Sequence, residues 1–345
     1  MAASSQFARR LQEAWLGRGP LAIALLPLAL LFASLAGARR ALYRAGLLRA
    51  QRLDVPVLVV GNLVAGGAGK TPTTLALIEL LRRHGWHPGI VSRGHGRRSR
   101  GLLHVEPDTP AEHCGDEPLL LRLRGRVPVC VGEDRVAAAS ALRGRHPAID
   151  IIVSDDGLQH LRLARDAQVL VFDERGIGNG WPLPAGPLRE PLPARTPPRS
   201  LVLYNAPRES TPLRGHLARR ALGGVVDLAG WWVGIAPSQS AIEALRGRPV
   251  LAAAGIARPD RFFAMLRDAG LAITEWPLPD HHPFATVNWP AGTCDVVLTE
   301  KDAVKIRPER SGDVRVWVAA LDFAFDAACE RELLALLPPR PPSHA

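Results

Sequence analysis

Residues 57–71, Val-Leu-Val-Val-Gly-Asn-Leu-Val-Ala-Gly-Gly-Ala-Gly-Lys-Thr, constrain this chain more than any other stretch. A β-branched run from Val57 to Val60 breaks into Gly66, Gly67 and Gly69. Lys70 and Thr71 then open a segment whose apolar residues, Leu75, Leu77, Ile78, Leu80 and Leu81, recur at helical spacing. Strand, glycine loop, Lys-Thr and helix form the layout of a phosphate-binding P-loop. Glycines let successive backbone N–H groups converge on phosphate oxygens, and the helix N-terminus adds positive dipole. The candidate nucleotide cradle is therefore Val64, Ala65, Gly66, Gly67, Ala68, Gly69, Lys70 and Thr71. Lys70 is placed to reach the β- and γ-phosphates of ATP, and the Thr71 hydroxyl to sit on Mg²⁺.

The loop is a variant. The usual pattern has glycine six residues before the lysine, where this chain has Val64. The Gly-Gly-Ala-Gly-Lys-Thr core resembles the loop of some dimeric ATPases, although the extra lysine of those loops is replaced here by Ala65. A glycine-rich turn that merely ends in Lys-Thr is the bland alternative, and the flanking strand and helix argue against it.

An apolar run from Leu21 to Ala38 precedes this core, with Arg18 before it and Arg39, Arg40, Arg44 and Arg49 after it. Its eighteen residues lie near the lower limit for spanning a bilayer, and Pro27 interrupts it. A cleaved signal peptide and a buried helix compete with a membrane-associated helix. An ATP-using enzyme belongs in the cytoplasm, and the arginines hold the following chain on that side. The expectation is a membrane-associated N-terminus with the following chain on the cytoplasmic side, either spanning or lying in the interface.

The formal charge of +10 invites a nucleic-acid reading, but the basic residues are dispersed and aromatics make up only 5%. That leaves no stacking platform for single strands, and anionic lipid or a phosphorylated substrate accounts for the charge equally well. Cys114, Cys130, Cys294 and Cys329 lie too far apart for a zinc site or a disulfide framework, and they read as buried small apolar residues.

From Val55 onward strand-like and helical runs alternate, which argues for an α/β fold with a mostly parallel sheet. Strand patterns fall at 57–60, 88–91, 127–131, 149–154 and 167–172, with helical patterns at 72–84, 116–124 and 133–144. A Gly- and Pro-rich stretch at 173–199 reads as a connector. Strand patterns resume at 200–204, 249–254, 271–276, 294–299 and 314–318, with helical patterns at 259–269 and 324–337. The expected organisation is a membrane-associated segment at 1–50, a P-loop domain at 51–172, the connector, a second and smaller α/β domain at 200–337, and a tail at 338–345.

Several later motifs carry candidate chemistry. The apolar run 149–154 ends in Asp155-Asp156-Gly157-Leu158-Gln159-His160, the arrangement that brings a carboxylate at a strand's C-terminal edge to Mg²⁺. Paired aspartates also occur in ordinary turns. Gly115-Asp116-Glu117-Pro118 reads first as a helix cap with an acidic first turn, and second as a site where Asp116 acts as a general base. Arg93 follows the second strand at the sheet edge that carries the P-loop, as a phosphate contact or a basic turn. Asp280-His281-His282 reads as a solvated loop unless context says otherwise, and Thr299-Glu300-Lys301-Asp302 as a helix cap.

Taken in order, these residues resemble a known family. The set is Gly61-Asn62, Gly66 to Pro72, Ser92-Arg93-Gly94, Gly115 to Pro118, Asp155 to His160, Pro184 to Glu190, Asp280-His281 and Thr299 to Lys305. It resembles the tetraacyldisaccharide 4′-kinases of lipid A biosynthesis from the apolar N-terminus to about Val318. The resemblance implies transfer of the γ-phosphate of ATP to the 4′-hydroxyl of a tetraacyl glucosamine disaccharide 1-phosphate. It implies two α/β domains joined by a two-stranded connector, which 173–199 fits. It matches Asp116 to the proposed base and His281 to the histidine supporting it, with His282 adjoining, so that which imidazole acts stays open. Asp155 and Asp156 match the family's acidic Mg²⁺ region, and Glu190 another acid near the metal. Asn62, Arg93, Glu117, Gln159, His160 and Arg189 are candidate substrate contacts. With base and histidine in different expected domains, domain closure would assemble the site. The expected partners are the acylated disaccharide and inner-membrane lipid, with no nucleic acid, for a monomer. The rival readings are another P-loop kinase or ATPase, and a membrane-anchored nucleotide-binding scaffold.

Overall fold

The structure, a computed structural model, describes residues 10–284, 286 and 288–340. Its elements run α1 (Pro20–Ala24), α2 (Leu26–Arg44), β1 (Val57–Gly61), α3 (Lys70–Arg83), β2 (Pro88–Ser92), β3 (Leu103–Val105), α4 (Ala111–Cys114), α5 (Asp116–Gly125), β4 (Val129–Val131), α6 (Arg135–Arg145), β5 (Ile151–Asp155) and β6 (Ala167–Asp173). There follow β7 (Ser200–Asn205), β8 (His216–Leu217), β9 (Arg219–Asp227), α7 (Leu228–Val233), α8 (Gln239–Leu245), β10 (Val250–Ala254), α9 (Pro259–Asp268), β11 (Ile273–Pro277), β12 (Asp295–Thr299), α10 (Glu300–Ala303), β13 (Arg315–Ala324) and α11 (Ala327–Leu336).

The described residues form two compact units, one within 10–91, 134–218 and 325–340 and the other within 92–133 and 219–324. By this division residues 92–133 group with the later α/β region, whereas in the sheet order their strands β3 and β4 follow β2, as the expected P-loop domain has them. The fold is α/β as expected.

In the first unit, strands lie in the order β2-β5-β1-β6-β7-β8 and pair in parallel. Every residue of β1 and β5 is buried, which explains why both read as continuous apolar runs. The register sets Val60 opposite Asp155. The end of β1, where the P-loop begins, thus lies beside the end of β5, where the acidic pair begins. Helix α3 buries Leu77, Ile78, Leu80 and Leu81 on the apolar stripe that its periodicity predicts. At about 1.5–3 kcal/mol for each fully buried aliphatic side chain, this stripe anchors the helix whose first turn presents Lys70.

The apolar N-terminal run folds as two helices rather than one. Pro27 lies in the first turn of α2, where its missing N–H costs nothing, and the break falls at Leu25. Among the described residues, no helix is long and apolar enough to cross a membrane. Leu28, Leu30, Leu31 and Leu35 of α2 are nevertheless more than half exposed.

In the second unit the order is β11-β10-β12-β13-β9, parallel except for the antiparallel edge strand β9. Phe262, Phe263 and Leu266 of α9 pack with Ala252, Val297 and Ala319 of the sheet into one core. After Asp173, which ends β6, the segment to 199 contains no strand beyond isolated bridges at Pro182 and Leu188. The long antiparallel pair is instead β9 with β13, whose outer ends, Arg219 and Ala324, coincide with the limits of the second unit. The Gly223-Gly224 pair hides β9 from a propensity reading, and an irregularity at Ala320/Leu321 lets the ladder continue past it. Three cysteines are buried as expected, whereas Cys294 is exposed, and all four are free.

Candidate active site

In the P-loop, Gly66 and Gly69 have φ of +97° and +88°, left-handed values that favour glycine. Gly69 caps α3 in that conformation. A Cβ there would lie 2.1 Å from Asn205 Nδ2, so the position needs glycine twice over. Asn62 braces the loop, its Nδ2 donating to the Gly66 carbonyl at 3.2 Å while its Oδ1 accepts from Lys70 Nζ at 3.3 Å. Arg175 Nη2 donates to the Gly67 carbonyl at 2.8 Å while its Nε holds Asp173 at 2.9 Å.

The departures at Val64 and Ala65 have a structural reason. Val64 is buried and forms an antiparallel bridge with Leu188. The Ala65 N–H donates to the Pro187 carbonyl, and the Arg189 N–H to the Leu63 carbonyl, each at 2.7 Å. The first half of the loop is thus held like a strand, which suits a buried β-branched residue better than glycine. The same pairing ties the Pro184–Glu190 motif to the P-loop and delivers Arg189 and Glu190 to the acidic cluster.

Asp155 ends β5, almost wholly buried, with Oδ1 3.4 Å from Thr74 Oγ1. Asp156 follows with φ +49°, an uncommon conformation for a side-chain-bearing residue that turns its carboxylate out of the strand. It meets Lys70 at 3.4 Å and Arg189 at 2.9 Å. Burial pushes the Asp156 carboxyl up, but Lys70 and Arg189 outweigh it and hold the group below its ordinary value, as the anion. Glu190 pairs with Arg40 at 2.8 Å and accepts from Gln159 Nε2 at 2.8 Å. Gln159 Oε1 accepts from Arg189 at 3.4 Å, which closes the network. The first unit therefore gathers Asn62, Lys70, Asp156, Gln159, Arg189 and Glu190 into one connected set beside the glycine loop. Thr71 sits in the first turn of α3, next to Lys70.

The second unit holds the other candidate pair. Asp116 is the first residue of α5, but it is no cap: Gly115 takes the cap position at φ +97° without a side-chain bond. The Asp116 carboxylate instead meets His281 Nδ1 at 3.1 Å and Lys305 Nζ at 3.5 Å. Burial raises its pKa, while the His281 hydrogen bond and the Lys305 and Lys301 charges lower it further than burial raises it. His281 has φ +59°, and its N–H donates to the Gly255 carbonyl at 3.1 Å. His282 turns to Phe284, ring to ring at 4.7 Å, so His281 is the imidazole that meets the carboxylate. Both partners lie in the second unit.

Glu117 joins the second cluster through Lys301 at 3.3 Å. Two predicted contacts stand outside these sets. Arg93 is exposed after β2. His160 points to Asp134 at 4.0 Å, and burial followed by the charge of Arg135 pushes its ring down to about 4. The sequence reading missed Arg40, which it took as a charge flanking the membrane run, together with Asn205, Arg175, Lys301 and Lys305. For the two lysines a signal was present in the quoted Thr299–Lys305 motif. Thr299 does cap α10, accepting from the Asp302 N–H at 3.2 Å, and the turn it nucleates aims both lysines at the carboxylate–imidazole pair.

A glycine loop with lysine at a helix start, acids at the neighbouring strand end and a separate carboxylate–imidazole pair together define an ATP-dependent phosphotransferase of P-loop type. A family model described as "Tetraacyldisaccharide-1-P 4'-kinase" matches residues 21–338. The chain is 57% identical to the tetraacyldisaccharide 4′-kinase of Leptothrix cholodnii, over 98% of this chain and 99% of that one. It is 56% identical to that of Methylibium petroleiphilum, over 96% and 95%. Its fold is similar to the crystal structure of LpxK from Aquifex aeolicus in complex with ATP, with a TM-score of 0.75, 26% identity, and coverage of 92% of this chain and all of the other. The chain belongs to the tetraacyldisaccharide-1-P 4′-kinase family.

Proposed function

We propose that this chain transfers the γ-phosphate of ATP to the 4′-hydroxyl of a tetraacyl glucosamine disaccharide 1-phosphate, in lipid A biosynthesis. The observation that carries the reading is the Asp116–His281 pair at 3.1 Å, in a chain that also has the P-loop. A nucleotide-binding scaffold or a simple switch has no use for a carboxylate base held anionic by an imidazole and two lysines. A sugar hydroxyl is a poor nucleophile, so positioning, charge neutralisation and a base are what the reaction needs.

Each role follows from the chemistry of the side chain. The backbone N–H groups of the glycine loop and Lys70 hold the β- and γ-phosphates. Arg189 adds a fixed charge next to Asp156. Among the described residues no three acids are placed to hold a metal by themselves, so Mg²⁺ would take one or two of the carboxylates of Asp155, Asp156 and Glu190 with the Thr71 hydroxyl, phosphate oxygens and water. Asp156, kept anionic beside Lys70, is the leading ligand of that set. When bound, the ion neutralises charge on the phosphates. Asp116 accepts the proton of the attacking hydroxyl, with His281 holding its carboxylate in place.

The protein works as a monomer on the cytoplasmic face of the inner membrane, with no nucleic-acid partner. The exposed leucines of α2 and the net charge of +10 support contact with anionic lipid, where an acylated substrate resides.

The test is transfer of label from γ-labelled ATP, with Mg²⁺, to detergent-solubilised tetraacyl disaccharide 1-phosphate, using wild type, Lys70→Ala and Asp116→Asn. Label enters the lipid with wild type, not with Lys70→Ala, and roughly 10²–10⁴-fold more slowly with Asp116→Asn. Steady ATP hydrolysis with no lipid label would overturn the substrate assignment. An Asp116→Asn variant at wild-type rate would overturn the base.

A further inference from the structure

Both ring nitrogens of His281 are engaged, and by groups of opposite character. Nδ1 lies 3.1 Å from the Asp116 carboxylate. Nε2 lies 3.3 Å from the Lys301 ammonium. An ammonium has three donors and no acceptor, so the nitrogen facing it must offer a lone pair. A neutral imidazole has one proton for its two nitrogens, and that proton then belongs on Nδ1, where an anionic carboxylate accepts it. We infer that Lys301 is a positioning residue that fixes His281 as its Nδ1–H tautomer and makes it a permanent hydrogen-bond donor to Asp116. This rests on the role proposed above for Asp116 and adds the device that sets its partner's proton.

The surroundings hold Lys301 to this task. Its ammonium also meets Glu117 at 3.3 Å and Asp280 at 3.6 Å. Burial works against the charge of Lys301, but Glu117 and Asp280, with Asp116 behind them, outweigh it and raise its pKa, so the group stays an ammonium. The groups that face the His281 ring are Asp116, Asp280, Lys301 and His95, the last edge-on at 6.2 Å, with Lys305 behind Asp116. The left-handed backbone of His281 and its N–H bond to Gly255 fix the main chain that carries the ring. With Nδ1 already protonated and Nε2 covered by a cation, His281 is unsuited to relay a proton away from Asp116. The proton of the attacking hydroxyl therefore stays on the Asp116 carboxylate while the new oxygen–phosphorus bond forms and ADP departs with the electron pair of the bond that breaks.

The experiment is nitrogen-15 NMR of the full chain labelled at histidine, at a pH of about 8, where an ordinary imidazole is neutral. His281 is assigned by its disappearance in His281→Gln. The expected wild-type spectrum has a protonated Nδ1 and a pyridine-like Nε2. Lys301→Met shifts the population towards Nε2–H and lowers kcat roughly ten-fold with KM for ATP and lipid unchanged, less than loss of the base itself. Lys301→Arg, still a cationic donor, restores the tautomer and most of kcat. A wild-type ring protonated at Nε2, or a Lys301→Met ring that keeps its proton on Nδ1, overturns the inference. The wild-type spectrum decides even if Lys301→Met does not fold. The expected tautomers together with an Asp116→Asn enzyme of normal kcat would uphold the lock and overturn only the assignment of the base.

Discussion

Lys305 is the second lysine of the same turn, and its loss is the most exacting test of how the base is held. Its side chain is 4% exposed, and its ammonium lies 3.0 Å from Asp302 Oδ1 and 3.5 Å from Asp116 Oδ2. Asp302 is fully buried and also accepts from the Gly255 N–H at 3.0 Å and the Thr299 hydroxyl at 2.7 Å. Lys305→Met keeps the length and apolar stem but strands two carboxylates. Breaking a buried pair by removing one partner costs about 3–5 kcal/mol. Asp302 retains two donors and Asp116 retains His281, which places the cost at the lower end, about 3 kcal/mol. At roughly 2–4 °C per kcal/mol for a unit of this size, the melting transition falls by about 6–12 °C. The assay is urea and thermal unfolding followed by tryptophan fluorescence, since Trp231, Trp232, Trp276, Trp289 and Trp317 all report on this unit. Adding Asp302→Asn removes the stranded charge while leaving an oxygen for the Gly255 N–H, so the double variant recovers about 1–2 kcal/mol. A cost below about 1 kcal/mol for Lys305→Met, or strictly additive single variants, would refute the view that this lysine is held by buried charge. Removing the cation also lifts the pKa of Asp116, and the acid limb of the kcat profile moves to higher pH.

Two further predictions concern the first unit. His160 titrates at about 4 in the fold against 6.5 for the free side chain, so the unfolded chain takes up its proton first and stability is lost as pH falls through that window. His160→Gln removes at most about 2 kcal/mol of this acid sensitivity, read as the difference between urea midpoints at pH values of about 7 and 5. In α2, Leu28, Leu31 and Leu35 project exposed apolar surface, and changing all three to serine lowers co-sedimentation with anionic vesicles while leaving the melting temperature of the protein nearly unchanged.

What the sequence made legible, and what it hid, divides along physical lines. Local signals came through. β1, β5 and β7 are buried on both faces and read as apolar runs, and the glycines at 66 and 69 sit where backbone geometry requires them. The roles that escaped depend on contacts between segments distant in the chain. Val64 looks like a defect in a P-loop until Leu188, more than a hundred residues later, is seen bridged to it. Arg40 belongs by position to an apolar helix and by contact to Glu190. Residues 92–133 follow a P-loop strand in sequence yet group with residues 219–324, and Asp116 meets His281 across that long separation in the chain. The Thr299–Lys305 turn shows most clearly how a bland reading and a functional one coincide. Thr299 is a helix cap, as its sequence suggests, and a cap fixes the turn that follows it. With that turn fixed, Lys301 within the helix and Lys305 just past its end reach the two sides of the carboxylate–imidazole pair, Lys301 at His281 and Lys305 at Asp116. Ordinary capping chemistry is thus the means by which this chain aims two lysine charges at its proposed base.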